Sequence, residues 1–158
     1  MLSLRGEDLD MADISDIATN VHRLSNVLGK VADHTLQETY GFGMSQFKIL
    51  WILKKHPEGV QQTNIADWLN LTEAAVSRQI RLLKAEKLIE KRVDPRNRRN
   101  RVIMLSAEGK KFAEAAMKVL AREYEPFFKD LSPQQRKTLC DMLENAFYKV
   151  ITKLGHNN

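Results

Sequence analysis

The sequence is poor in the residues that mark loop-rich or disulfide-stabilised proteins. Its 158 residues include one cysteine, four prolines and seven glycines. The single cysteine, Cys140, cannot form an internal disulfide, so nothing indicates an oxidising compartment. No apolar run approaches the roughly 20 residues needed to span a bilayer. The N-terminal stretch MLSLRGEDLDMADISD is acidic and has no apolar segment typical of a signal peptide. We therefore expect a cytoplasmic protein.

Sequence motifs for catalysis and cofactor binding are also missing. There is no nucleophile elbow, no phosphate-binding glycine loop and no zinc-protease signature. The four histidines do not cluster with cysteines or carboxylates at metal-ligand spacing. His34 and Glu38 lie one helical turn apart, and an exposed helix pair explains them better than a metal pair. We expect no enzyme activity, no cofactor and no metal site.

Positive charge, by contrast, is concentrated in one short stretch. The chain carries a net charge of +5, but residues 78–101 hold ten basic and three acidic residues, a net charge of +7. The rest of the chain therefore carries −2. Such a concentration is typical of a surface that meets phosphate groups. A solvated face is the alternative, and charge alone does not decide between the two.

The N-terminal part of the chain predicts two helices. Alternating steps of three and four separate Ile14, Ile17, Val21, Leu24, Leu28 and Val31, which is typical of a long helix that packs along its length. Gly41 and Gly43 predict its end. Ser45 is the expected N-cap of the second helix, which should end near His56–Pro57. One face of that helix carries Phe47, Leu50 and Trp51.

The middle of the chain predicts a helix-turn-helix. Thr63 is the expected N-cap of a short helix over residues 64–69, and Asn70 and Leu71 form a tight connection. Thr72 then caps a longer helix over residues 73–86. Two helices joined by so short a turn are typical of DNA-binding helix-turn-helix motifs. The outer face of the second helix carries Glu73, Ala74, Ser77, Arg78 and Arg81.

A basic hairpin follows directly. Residues 89–93 and 102–105 have the pattern of two strands. Asp94–Pro95 predicts the turn, and residues 96–100 are too polar to be buried. A hairpin with an arginine-rich tip after a helix-turn-helix is a wing.

Two further helices close the sequence. Ser106 is the expected N-cap of the fifth helix, and Ser132–Pro133 is expected to open the sixth. The apolar stripe of the sixth helix consists of Leu139, Leu143, Ala146, Phe147, Val150 and Leu154. Together with the first helix, these stripes are too wide for one small winged domain to cover, which favours a dimer.

The segment KLIEKRVDPRNRRNRVIMLSAEG, residues 87–109, resembles the wing region of the MarR family of bacterial transcription regulators. The helix-turn-helix segment QTNIADWLNLTEAAVSRQIRLL is similar to that of the family too. Asn97 stands where the family usually has aspartate, and Ser106 where it usually has threonine. An aspartate at position 97 can brace a wing arginine by a charge-assisted pair, whereas asparagine offers only a neutral side chain to that hydrogen bond, so we expect a looser wing tip. Ser106 keeps the capping hydroxyl.

The resemblance implies a mainly α fold with a small β-hairpin wing, in which a winged helix-turn-helix domain is joined to a helical dimerisation region. We expect a disordered N-terminus at 1–12, a dimerisation region at 13–40 and 106–155, and a DNA-binding domain at 44–105. The expected homodimer interface contains Ile14, Ile17, Val21, Leu139, Leu143, Phe147, Val150 and Leu154. The resemblance further implies a pocket for a small aromatic or phenolic effector, lined by residues such as Trp51 and Phe112.

The expected DNA-contacting residues lie on the helix-turn-helix and the wing: Thr63, Thr72, Glu73, Ser77, Arg78, Arg81, Lys84, Arg96, Arg98 and Arg99. Arg98 and Arg99 suit the minor groove or phosphate, with solubility charges as the alternative. Ser77 and Arg78 suit bases or phosphate, whereas ordinary exposure is the alternative. Arg81 and Lys84 suit phosphate. For Glu73 we favour an interaction with the helix dipole over a contact to cytosine.

Three further residues have an unexceptional interpretation. Cys140 lies away from any basic cluster that would activate its thiol, so we favour a packing role over a redox sensor. Redox-sensing members of the resembling family usually carry their reactive cysteine near the start of the first long helix, where this chain has none. Trp51 and Trp68 sit among aliphatic neighbours, and we expect both in the core.

These observations together predict a homodimeric transcription regulator that binds a palindromic operator in double-stranded DNA. A ligand-responsive repressor is the expected role, with activation left open. A protein-interaction module built on the same winged helix is the alternative. An enzyme is a more distant alternative, because no catalytic constellation is present.

Overall fold

The computed structural model describes the backbone of residues 6–94 and 97–154 and the side chains of 13–94 and 97–154. Over these ranges the chain forms six helices and one hairpin. In order they are α1 (Gly6–Tyr40), α2 (Met44–Lys55), α3 (Gln62–Leu69), α4 (Glu73–Ala85), β1 (Ile89–Val93), β2 (Arg101–Leu105), α5 (Ala107–Phe128) and α6 (Pro133–Lys153). The predicted mainly helical chain with a hairpin wing is confirmed. None of the described helices is long and apolar enough to cross a membrane.

The main core lies between α2, α3, α4 and the hairpin. β1 and β2 pair antiparallel, from Ile89 opposite Leu105 to Val93 opposite Arg101. Val60 adds a bridge that the sequence did not predict: its amide donates to the Ile103 carbonyl at 3.0 Å and its carbonyl accepts from the Ile103 amide at 2.8 Å. The fully buried large side chains of this core are Ile49, Leu50, Leu53, Ile65, Val76, Leu83 and Ile103.

Three of the predicted helix caps are confirmed. The Thr72 hydroxyl accepts from the Ala75 amide at 3.2 Å, that of Ser106 from the Gly109 amide at 2.9 Å, and that of Ser132 from the Gln135 amide at 3.2 Å. Each bond satisfies an amide that has no partner within its own helix.

Two other predicted caps are wrong. Ser45 lies inside α2, whose N-cap is Gly43. The Met44 amide already donates to Asp33 Oδ1 at 2.7 Å, so this helix start is satisfied from α1. Thr63 lies in the first turn of α3, because the helix begins at Gln62 and no side chain caps it.

The first helix also starts earlier than the sequence predicted. α1 begins at Gly6 and so extends into the segment 1–12 that was expected to be disordered, whereas residues 1–5 lie outside the described residues. The stretch GEDLDMA contains no proline and no β-branched residue. Its acidic residues suit the positive end of a helix dipole, which favours continuing the helix toward the N-terminus.

A second, smaller core joins α1, α2 and α5. Buried residues of this core are Ala32, Leu36, Phe47, Ala116 and Leu120. The Lys54 ammonium donates to Glu114 Oε1 at 2.9 Å and ties α2 to α5. That hydrogen bond, together with the lysine charge, lowers the pKa of the Glu114 carboxyl. The long α1 is therefore anchored to the winged domain through α5 and the start of α2.

Large apolar faces remain uncovered in the single chain. Of the described part of α6, only Ile151 is buried, and Met142 is 65% exposed. Cys140 is exposed as well, so the expected packing role is wrong for the isolated chain. Trp51 is 42% exposed and not a core residue, whereas Trp68 packs half-buried against the core. The outward position of Trp51 on α2 explains the error, because Phe47 and Leu50 take the inner face.

Candidate nucleic-acid interface

The recognition helix α4 has one buried and one basic face. Val76, Ile80 and Leu83 are buried in the core, and the exposed side carries Arg78, Arg81 and Lys84. This division follows from the 3.6-residue period of the helix. The predicted cationic residues of α4 therefore share one solvent-facing surface.

The N-terminal end of α4 holds the shorter polar residues. Thr72 is exposed and uses its hydroxyl as the helix cap. Glu73 is exposed in the first turn, where a carboxylate favours the helix dipole, and Ser77 is half-buried. Thr63 is exposed at the start of α3. The exposed side chains of Glu73 and Thr63 are accessible to a ligand, and their contact with DNA stays a prediction.

The turn between α3 and α4 depends on one left-handed residue. Asn70 has φ of 51°, a conformation that asparagine adopts more readily than most residues. The Leu71 amide then donates to the Ala66 carbonyl at 2.9 Å. This tight turn fixes α4 against α3, as a helix-turn-helix requires.

The wing tip is ordered by its own asparagines. The Asn97 side-chain carbonyl accepts from the Arg99 amide at 3.1 Å, and the Asn100 amide donates to the Asn97 carbonyl at 2.9 Å. The substitution of asparagine for the family's usual aspartate thus leaves a backbone-directed hydrogen bond in place. Arg98 and Arg99 are exposed in this turn. Arg96, also predicted to contact DNA, lies outside the described residues.

Two further cations on the hairpin extend this surface beyond the predicted residues. Arg101 is exposed at the first position of β2, and Lys91 is exposed on β1. In the sequence, only their position within the basic stretch 78–101 indicated that these two residues could belong to the DNA-binding surface. Arg92 differs, because its guanidinium donates to Glu90 Oε2 at 2.6 Å and 2.9 Å, so its charge is compensated locally.

The other arginines described on α4 and the wing tip have no acidic partner among the described side chains. Among the side chains of residues 13–94 and 97–154, neither Arg78 nor Arg81 forms an ion pair, and the same holds for Arg98 and Arg99. Cationic side chains without an acidic partner can meet phosphate with no ion pair to break. The same ranges contain no group of three or more potential metal ligands.

The wing is tied to α5 and to the end of α4 at one point. The Ser106 hydroxyl, besides capping α5, donates to the Lys87 carbonyl at 2.7 Å. Lys87 has φ of 59°, which turns the chain from α4 into β1. The Ser106 amide donates to the Leu88 carbonyl at 3.0 Å. Hydrogen bonds of Ser106 therefore join the end of α4, the start of the wing and the start of α5.

The two residues predicted for an effector pocket lie in different surroundings. Phe112 packs against Tyr40 and Phe42, with ring centroids 4.8 Å and 4.9 Å away. Trp51 faces outward, and the Lys55 ammonium lies 5.6 Å from its ring centroid. Neither residue lines the groove between α1 and α2, and neither lines the concavity beside Tyr40, Phe42 and Leu82. The pocket stays a prediction.

The residues predicted for the dimer interface are exposed in the single chain. From the first helix these are Ile14, Ile17 and Val21, and from the last helix Leu139, Leu143, Phe147, Val150 and Leu154. Their placement leaves two apolar helix faces accessible to a second chain, and the contact itself stays a prediction.

Comparison with known proteins relates this geometry to a family. The model of the MarR family matches residues 42–100. The "uncharacterized HTH-type transcriptional regulator YdgJ" of Bacillus subtilis (strain 168) is 24% identical over 129 residues, 82% of this chain and 77% of the relative. Among solved structures, a MarR transcriptional regulator from Methanosarcina mazei Go1 is similar with a TM-score of 0.71 and 24% identity, covering 87% of this chain and 98% of the other. CouR from Rhodococcus jostii RHA1, bound to p-coumaroyl-CoA, has a TM-score of 0.71 and 20% identity, covering 84% and 92%.

The fold and the exposed basic surface define a winged-helix, DNA-binding transcription regulator. The match to the MarR family model covers residues 42–100, which span the helix-turn-helix and most of the wing. The Bacillus subtilis relative and the Methanosarcina mazei structure are both named as transcriptional regulators.

Proposed function

We propose that the protein is a homodimeric, ligand-responsive repressor that binds a palindromic operator. Each subunit would place α4 in the major groove and its wing in the neighbouring minor groove. A two-fold dimer then requires two inverted half-sites whose centres lie about one helical turn apart.

The single observation that carries DNA binding is the uncompensated basic face of α4 and the wing. Arg78, Arg81 and Lys84 project from one side of the helix, and Arg98 and Arg99 from the hairpin tip. Since Ser106 ties the wing to the end of α4, both cationic elements are held in one arrangement. A protein-interaction module would not need so many cations without acidic partners.

The uncovered apolar faces support the dimer. The N-terminal part of α1 and nearly all of α6 expose large side chains, among them Ile17 at 64% and Leu154 at 64%. Isolated apolar residues are common on protein surfaces, but stripes of this length are typical of interaction sites. A second copy of the chain is the proposed partner, because an isologous dimer also supplies the two recognition helices of a palindromic site.

A small-molecule effector is the third part of the proposal. The similar structure of CouR contains p-coumaroyl-CoA, and the family resemblance implies a small aromatic or phenolic effector. The cluster of Tyr40, Phe42 and Phe112 offers an apolar wall for such a molecule near the junction of α1, α2 and α5. A DNA-bound regulator must share a compartment with the chromosome, so the cytoplasm remains the proposed location.

Selection of DNA fragments from a random pool by the purified full-length protein tests this function. We expect enrichment of an inverted repeat, with an affinity that falls steeply as salt concentration rises. Fusion of the selected site to a reporter promoter should then show repression. Absence of any enriched sequence, together with salt-independent binding, would leave the protein-interaction module as the better assignment.

A further inference from the structure

A polar groove opens between α1 and α2. Its cavity volume is about 580 Å³, within the range of sites that hold metabolite-sized ligands. No residue of α5 lines it, so it is separate from the aromatic cluster around Phe112. The lining residues are Ser25, Asn26, Gly29, Lys30, Asp33, His34, Gln37, Met44 and Lys48.

The base of the groove is fixed by a contact between the two helices. Asp33 Oδ1 accepts from the Met44 amide at 2.7 Å, where α2 begins. Gly43 makes this approach possible, because a Cβ there would lie 2.5 Å from Asp33 Oδ1. The groove therefore does not depend on a flexible loop, and part of the acceptor capacity of its one carboxylate is already used.

The remaining ionisable groups of the groove are basic. Lys30 and His34 lie one helical turn apart on α1, and Lys48 faces the groove from α2. In the part of the chain that the structure describes, neither lysine forms an ion pair. Ser25 and Asn26 add a hydroxyl and an amide at the far end, and only Met44 contributes a large apolar side chain.

We propose that this groove binds a phosphorylated organic anion. Two unpaired lysines on facing helices match the charge of a phosphate group, to which lysine binds as a point charge. The serine and asparagine can hydrogen-bond further phosphate oxygens or sugar hydroxyls. A purely apolar or phenolic molecule would leave these polar groups desolvated and unpaired, which disfavours it. This proposal rests on the ligand-responsive function proposed above. Binding of the anion to the groove can nevertheless be measured without DNA.

Calorimetric titration of the full-length protein with coenzyme A, AMP and pantothenate tests the site. Pantothenate carries a carboxylate and no phosphate, so it separates the two kinds of anion. We expect coenzyme A or AMP to bind and pantothenate not to. The K30Q/K48Q variant should weaken that binding by about tenfold for each lysine that no longer pairs with phosphate. The matched control K110Q/K118Q removes the same charge from exposed positions of α5 and should leave the affinity unchanged.

Three results would overturn the assignment. They are no binding by either phosphorylated probe, tighter binding of pantothenate than of both, and an equal loss of affinity in the two double variants. Binding of the variants to the selected DNA, measured without any probe, separates this result from the proposed function. Because Lys30 and Lys48 lie outside α4 and the wing, loss of the groove site should leave that DNA affinity intact.

Discussion

Gly109 lies directly against the backbone carbonyl of Leu88. A Cβ added at Gly109 would overlap the Leu88 oxygen, and the neighbouring atoms are backbone that cannot swing away. The Gly109 amide is at the same time bound by the Ser106 hydroxyl, which also holds the Lys87 carbonyl. The first turn of α5 therefore packs on the start of β1 at a distance that only glycine permits.

The substitution Gly109→Ala should strongly destabilise the fold. We expect a loss of about 2–4 kcal/mol in the free energy of unfolding, because backbone must move to admit the methyl group. Urea unfolding at one fixed protein concentration measures the change. Gly29→Ala is the matched control, since no atom lies within 4 Å of its Cβ position in the middle of α1. It should be stabilising by up to about 1 kcal/mol. Equal stability of the two variants would refute the packing argument.

The features that the sequence predicts correctly are those with local signals. Thr72 and Ser106 are identifiable as caps because the capping hydroxyl and its amide are three residues apart. Asn70 marks its turn for a similarly local reason. The Val60–Ile103 bridge is not predictable in this way, because it joins residues 43 positions apart and neither lies in a distinctive motif.

The errors concern features that depend on the rest of the molecule. Ser45 has the right residue type for a cap, but Asp33 reaches the start of α2 from another helix. Helical periodicity places Trp51 on the same face of α2 as Phe47 and Leu50. Trp51 lies at the border of that face, where its side chain is exposed to solvent. Cys140 belongs to a helix that is almost entirely exposed in the chain, so the apolar stripe beside it does not imply its burial.

Tyr124 should make stability depend on pH in the alkaline range. Its hydroxyl donates to the Leu28 carbonyl at 3.1 Å, and burial, followed by the negative charge of Glu123, raises its pKa above the ordinary 10.0. The folded state thus holds this proton more tightly than the unfolded state. The resulting stabilisation is present below pH 10.0 and is lost as pH rises through the folded-state pKa.

Tyr124→Phe should therefore cost about 1 kcal/mol at neutral pH, the worth of one hydrogen bond. Above the ordinary tyrosine pKa the variant should lose less stability than the parent, because it has no phenol to ionise. Urea unfolding at neutral and alkaline pH measures both effects. Glu123→Gln serves as control. It keeps the Tyr124–Leu28 hydrogen bond and removes only the negative charge, which is the smaller of the two causes that raise the Tyr124 pKa. Identical pH profiles for parent and Tyr124→Phe would show that this phenol does not contribute.

The apolar face of α6 should be required for dimerisation. We expect Phe147→Glu to weaken the dimer, because a two-fold interface contains the substitution twice. A loss of about 1.5–3 kcal/mol per side chain would raise the dissociation constant by roughly two to four powers of ten. Light scattering over a dilution series measures this. Asn145→Glu, which introduces the same charge elsewhere on α6, should leave the dimer intact.

Deletion from Pro133 onward should give a monomer or an aggregate, and a well-folded dimer after that deletion would exclude α6 from the interface.

The two DNA-contacting elements should respond differently to substitution. Arg98 and Arg99 lie on an exposed turn, so we expect them to read phosphate and groove shape more than base identity. Replacing both with alanine should weaken binding to the selected site and to random DNA alike. The slope of log affinity against log salt should become shallower by about one unit for each phosphate that is no longer neutralised. The double variant Arg122→Ala/Arg136→Ala removes the same charge from α5 and α6 and should retain the parent slope.

Arg78→Ala should instead reduce discrimination. Arg78 lies in the second turn of α4, where the N-terminal half of a recognition helix reaches base edges. Removal of a base-specific hydrogen bond is expected to cost about 1–3 kcal/mol on the selected site and much less on random DNA. Competition binding with both DNAs at one salt concentration measures the difference. A variant that keeps its full preference for the selected site would remove Arg78 from base readout. If the wing variant also bound with unchanged affinity and slope, the basic stretch would be a solvated surface, and a protein partner would have to be sought for this face.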